Sequence, residues 1–160
     1  MDDDLLTLAR LSRLLERACG EMHPPLTLAQ YRLLAMIGSG ADRASHLAGQ
    51  LALAKPTVSA TVDTLVERGL VERASSRDDR RVTTLTVTGR GRRELAAAEA
   101  AMRARLDDVV GRLDDPAAVS RALSALRGGL DERRSERRAA REGPRHLEGR
   151  VEGQVGGQPL

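Results

Sequence analysis

At 160 residues, with 31% of them charged, 1% aromatic, no Trp or Phe and a single Tyr, the chain has room for one domain, whose core must come from Leu, Val, Ala and Met, and that suits helices better than a β-sandwich. One Cys excludes a disulfide framework within the chain, and no apolar run approaches the roughly 20 residues of a membrane span. The net charge is only +3, so its location matters more than its size.

Leu5 to about Met22 reads as a helix: Leu8, Leu11, Leu15, Ala18 and Met22 recur at alternating +3 and +4 spacing, and Leu5, Leu6 and Leu14 add apolar surface outside that seam. A helix apolar on more than one side needs more than one neighbour; a second subunit is a natural one, and burial within one subunit is the alternative. His23-Pro24-Pro25 breaks the helix. Thr27-Leu28-Ala29-Gln30 is a capping box, with Leu26 and Tyr31 placed to form a hydrophobic staple. Leu33, Leu34 and Ile37 carry this second helix to Gly38, after which there is room for a turn and one short strand before Ser45.

Ser45 is placed as the N-cap of a short third helix whose Leu47, Ala48 and Leu51 share a face. Ala52-Leu53-Ala54 is long enough only for a turn. The fourth helix carries Pro56 in its first turn, where a missing N–H is harmless, and Gly69 stops it. Its apolar stripe is Val58, Val62, Leu65 and Val66; the opposite face presents Pro56, Thr57, Ala60, Asp63, Thr64 and Glu67. The N-terminal end of that face is small and polar, slim enough for a duplex major groove about 12 Å wide. Strands are expected at Leu70 to Arg73 and Thr83 to Val87, the second with Leu85 and Val87 on one face. Between them Ser75 to Arg81 is too hydrophilic for a core and makes a basic hairpin tip, so the series reads as a winged helix-turn-helix.

Thr88 caps a long helix to about Leu113, with Leu95, Ala98, Met102, Leu106, Val109 and Leu113 as its stripe. Gly89-Arg90-Gly91 opens that helix and lacks the remainder of any phosphate-binding loop. Asp114-Asp115-Pro116 ends it and starts a last helix, Ala117 to about Leu130, with Val119, Leu123 and Leu126 facing inward. From Asp131 the residues are charged and could prolong the helix, while 143–160, with five Gly and two Pro, is expected to be disordered.

From Ala44 to Arg93 there are nine Lys and Arg against five Asp and Glu, a surplus of +4, while residues 1–43 carry −1 and residues 94–160 carry 0. The whole excess therefore lies on the proposed winged helix, the footprint of a surface that meets phosphates.

The order LTLAQYRLL, then LAxxLxLxKPTVSxxVDxLxxRGLVER, then DDRRVxxLxVTxxGR resembles the MarR family of bacterial transcription regulators, over roughly residues 5 to 127. The resemblance implies a mainly α fold with a small β wing, a winged helix-turn-helix plus N- and C-terminal dimerisation helices. The expected organisation is 1–38 for the N-terminal dimerisation helix and its supporting helix, 39–88 for DNA binding, 89–130 for the long helix and the C-terminal dimerisation helix, and 131–160 for a charged, Gly-rich tail, partly disordered. The implied function is a homodimeric repressor on a pseudo-palindromic duplex operator, relieved by a small-molecule effector.

In the family's D-x-R pattern, Asp79-Arg80-Arg81, a carboxylate orients the guanidinium two residues on, so that Arg81 enters the minor groove while Arg77 and Arg80 touch phosphates. Lys55, Thr57 and Ser59 are candidates for phosphate or base-edge contact, and Ser45, Pro56, Ala60 and Thr64 complete the DNA-binding set. Two departures stand out: Ala54 where a Ser cap is common, and Ala60 where the family often has Arg. Without that bidentate guanine contact, reading leans on the wing and on duplex shape. Arg13, Arg17, His23, Tyr31 and Arg32 lie on segments that would line the family's effector cleft, and their charge suits an anionic ligand. Cys19 raises a redox option, since one branch of the family senses peroxide through a Cys on this helix, but that branch places it farther upstream; a small buried residue is the expected role.

His23, His46 and His146 are isolated, without metal-ligand spacing, and no nucleophile motif is present, so the chain is read as a non-enzyme with no cofactor and no metal. The acidic Met1 to Asp4 start is unlike a secretion signal, so the expected place is a bacterial cytoplasm, on the nucleoid when DNA-bound, with no membrane partner. The competing readings are a winged-helix module that docks protein, and a DNA-binding regulator blind to ligands.

Overall fold

Residues 3–40, 44–51, 53–75 and 83–142 are described by a computed structural model. Among them the elements run α1 (Asp3–Gly20), α2 (Leu28–Gly38), α3 (Ala44–Leu51), α4 (Lys55–Glu67), β1 (Val71–Ser75), β2 (Thr83–Val87), α5 (Gly89–Val110) and α6 (Pro116–Glu142). Everything up to Pro116 belongs to one compact unit, and α6 to a second. None of these helices is long and apolar enough to cross a membrane.

Asp3 and Asp4 at the start of α1 and Arg17 in its last turn complement the helix dipole at both ends. Only the C-terminal half of α1 joins the core, through Ala18 and Cys19; Leu5 and Leu8, in the other half, are 64% and 53% exposed. The expected capping box opens α2: the Gln30 amide N–H donates to Thr27 Oγ1 at 3.1 Å, and the Thr27 N–H to Gln30 Oε1 at 3.0 Å. Leu26 is buried ahead of it, and Tyr31 is half-buried against the core. The chain leaves α2 through Gly40, whose φ of 100° favours a residue without Cβ.

α3 starts at Ala44, so Ser45 lies inside the first turn and not ahead of it as an N-cap. Its Leu47, Ala48 and Leu51 are buried, as are Val58, Val62 and Leu65 of α4. α4 ends where expected, with Gly69 at a φ of 67° turning the chain into β1. The two strands pair antiparallel from Val71↔Val87 to Ser75↔Thr83, so β1 runs two residues beyond Arg73 because its ladder with β2 continues. Leu85 and Val87 point inward.

Thr88 stitches the end of β2 to the end of α4. Its hydroxyl donates to the Gly69 carbonyl at 2.8 Å and accepts from the Gly91 N–H at 2.9 Å, capping α5. Ala98 and Met102 are buried and Leu95 packs against the core, while Leu106 is half-buried; α5 ends at Val110, and Val109 and Leu113 are each 45% exposed.

α6 extends past Leu130 to Glu142, through a stretch assigned above to the tail, because Asp131 to Glu142 holds Arg, Glu and Ala and no breaker before Gly143. Of the residues expected to face inward, Val119 is half-buried but Leu123 and Leu126 are 41% and 55% exposed, and Leu130 after them is 65% exposed. The tail 143–160 lies outside the described residues.

Cys19 is fully buried, and burial pushes its thiol up from the ordinary value. A raised thiol keeps its proton in the folded chain after the unfolded chain has lost it. Its stabilising effect is therefore present below the usual thiol pKa, about 8.5, and is lost as pH rises through the raised value. Tyr31 adds the same sign at higher pH, raised by burial, by the Glu99 carboxylate and by Cys19. The native protein should stay unlabelled by a water-soluble maleimide and react once unfolded in urea, and Cys19→Ala should flatten the first part of the alkaline loss of Tm. Prompt labelling of the native thiol would contradict this burial and revive the redox option.

Candidate nucleic-acid interface

α4 presents its first two turns to solvent. Lys55, Pro56, Thr57, Ser59 and Ala60 are all exposed, while Val58 and Val62 anchor the opposite face. Ala54 at the N-cap offers no side-chain acceptor, so the backbone donors at this end lack a side-chain cap. Free N–H groups and a Lys at a helix start together attract a phosphate oxygen. An Ala54→Ser exchange should raise stability by about 1 kcal/mol in thermal unfolding; an unchanged Tm would mean that the extended Ala54 conformation does not act as a cap.

One turn farther, Thr64 is half-buried and its hydroxyl donates to the Ala60 carbonyl at 3.0 Å; Thr61 does the same to Thr57 at 2.8 Å. Thr64 is thus left mainly an acceptor, poorly matched to phosphate. Ser45 belongs to the first turn of α3, and its side chain lies outside the described residues.

Beside α4 stands the hairpin stem, closed by the pair Ser75↔Thr83. The seven residues 76–82 that join the strands, and with them Arg77, Asp79, Arg80 and Arg81, lie outside the described residues. The stem shows a contact that the sequence reading missed: Arg73 Nη2 donates to Asp63 Oδ1 at 2.6 Å, tying β1 to the middle of α4. Strand phase was the available signal, because Arg73 lies two residues after buried Val71 and so aims at the same side, toward α4. Both partners are about half exposed, so the pair is worth less than about 1 kcal/mol to stability. Its effect is to aim the wing stem.

The positive surplus is divided. Arg68, Arg90, Arg92 and Arg93 gather near the C-terminal end of α4, where Thr88 bonds to Gly69, and α4's 13 residues put that end about 20 Å from Lys55. Arg92 is engaged there, donating to the Val87 carbonyl at 2.8 Å. The surface suited to duplex phosphates is therefore narrower than the charge count from Ala44 to Arg93 suggests.

Of the five effector candidates, Arg13, Arg17, His23 and Arg32 are exposed and Tyr31 is half-buried. Among the described residues no group of three or more His, Cys, Asp or Glu is placed to hold a metal ion.

A profile of the MarR family matches residues 25–82, a range that takes in α2, α3, α4 and β1 and ends just before β2. Among solved structures, the chain is similar to RV1404 from Mycobacterium tuberculosis, with 25% identity over 79% of this chain and 89% of that one and a TM-score of 0.69. It is similar to the Mycobacterium tuberculosis MarR family protein RV2887 in complex with p-aminosalicylic acid, with 26% identity over 79% and 98% and a TM-score of 0.63. It is also similar to the transcriptional repressor CouR bound to a 23-mer DNA duplex, with 30% identity over 80% and 91% and a TM-score of 0.65. No curated protein sequence matches this chain.

Proposed function

We propose that this chain, which belongs to the MarR family, is a homodimeric repressor that holds a pseudo-palindromic duplex operator and releases it when a small-molecule effector binds. The observation that carries the DNA reading is the bare, uncapped start of α4, with its small exposed side chains beside a hairpin stem pinned by Asp63 and Arg73. CouR, a repressor bound to duplex DNA, and RV2887, complexed with p-aminosalicylic acid, support the two halves of the proposal by similarity.

The dimer is supported by apolar side chains that a single chain leaves in water: Leu5 and Leu8 on α1, and Leu123, Leu126 and Leu130 on α6. Two copies related by a two-fold axis would set two α4 helices about 34 Å apart, one turn of duplex. Arg81 at the hairpin tip would enter the minor groove, with Arg77 and Arg80 on phosphates and Asp79 orienting the tip.

The test is a salt series of binding to duplex DNA flanking the chain's own coding region. Binding that weakens steeply as salt rises supports the proposal, because each phosphate contact releases a counterion. Salt-insensitive binding to a protein partner, with no affinity for DNA, would support a docking module instead. In the same assay Arg81→Ala should weaken operator binding by about 1 to 3 kcal/mol, and an unchanged isotherm would remove Arg81 from the interface.

A further inference from the structure

Where α1 gives way to α2 there is a groove of about 640 Å³, with an apolar lining from Pro25, Leu26 and Leu28 and polar groups from Glu16, Gln30 and Arg68. None of the five effector candidates named above lines it, yet its size suits a small organic molecule. Arg68 is the unusual member. Its Nη1 donates to Gln30 Oε1 at 3.2 Å, while its Nη2 is buried with no hydrogen-bond partner among the described residues.

Gln30 cannot satisfy that second nitrogen. Its Oε1 already accepts from the Thr27 N–H as well as from Arg68, which uses both lone pairs. Glu16 forms no ion pair with Arg68 among the described residues. Leaving a charged donor buried and unmatched is costly, and a planar guanidinium with a spare edge matches a carboxylate in two-point geometry. Arg68 itself lines the groove, and for a ligand to meet that edge the side chain must rotate about the last bonds of its stem. The start of α2 is not the attraction, since its capping box engages Thr27 and Gln30 with each other.

We propose that this groove binds a small organic carboxylate, its apolar body on Pro25, Leu26 and Leu28 and its oxygens on Arg68. Resting on the repressor reading above, occupancy also weakens operator binding. Arg68 is the C-cap of α4, its N–H bonded to the Thr64 carbonyl at 3.0 Å, and it immediately precedes the Gly69 turn into the wing. A ligand that holds Arg68 toward α1 and α2 therefore acts on the far end of the recognition helix and on the root of the hairpin together.

The experiment titrates the full chain with hexanoate and benzoate, and with the uncharged hexanamide and benzamide, following the arginine side-chain N–H resonances and heat of binding. The carboxylates should bind and the amides should bind at least about tenfold more weakly, as expected when a charged hydrogen bond is lost. Arg68→Gln should lose about tenfold or more of carboxylate affinity, and Glu16→Gln, which removes an exposed opposing charge, should tighten it. Amides that bind as well as acids, a wild-type chain that binds neither, or a Glu16→Gln variant with no gain would overturn the site. Operator binding is measured separately with and without benzoate. Benzoate that binds but leaves operator affinity unchanged keeps the site and overturns the coupling, whereas a chain that binds no DNA at all overturns the repressor reading while the titration still decides the groove.

Discussion

Gly91→Ala is expected to cost about 3 kcal/mol or more, with a fall in Tm on the order of 10 °C. A Cβ added at Gly91 would lie 2.1 Å from the Leu70 carbonyl oxygen and 2.8 Å from Val87 Cγ1. The first neighbour is backbone, and it cannot retreat easily: the Leu70 carbonyl accepts from the Thr88 N–H at 3.0 Å, in the knot that joins the end of α4, the end of β2 and the start of α5. A methyl group there must break that knot or push α5 away from the sheet. The control is two residues upstream, where a Cβ at Gly89 would meet only the ends of the Arg92 and Arg93 side chains, at 3.9 Å. Gly89→Ala should be neutral or stabilising by up to about 1 kcal/mol, since Ala is the better helix former. Thermal unfolding of both variants decides the matter, and equal Tm values would mean that helix and strand do not approach as closely as the structure places them. Because the knot roots the hairpin beside α4, Gly91→Ala should also lose operator affinity by a larger factor than Gly89→Ala.

Leu126→Arg should convert the proposed dimer into folded monomers and lower operator affinity at least about a hundredfold, toward the level of non-specific binding. Leu126 is 55% exposed on α6 in the single chain, so an Arg there costs a protomer little. Facing a second copy it would bring an unpaired charge into a dehydrated apolar patch, which costs several kcal/mol. Light scattering should report the monomer mass while circular dichroism reports unchanged helix content. A variant that remains dimeric and holds the operator as tightly as before would remove this face from the assembly.

Much of the architecture was legible in the sequence because it is set by local chemistry. The Thr27 and Gln30 box, the Thr88 cap, the Gly69 stop and the Leu85 and Val87 alternation each involve residues within a few positions of one another, and all are realised. Boundaries were read less well where no breaker marks them: α6 continues twelve residues past Leu130 on propensity alone, and α3 takes in Ser45, which was placed outside it as a cap. The exposed face of α4 could be read from period alone, since its buried stripe fixes which side remains. Only the tertiary structure decided what meets that face and what lies behind it. It brings Arg73 onto Asp63, ten positions earlier, and Arg68 onto Gln30, 38 positions earlier, and it closes helix on strand at Gly91. Local patterns say which side of an element turns inward, because burial of apolar surface follows period, but which two side chains touch depends on how separate elements cross, and no single segment contains that information.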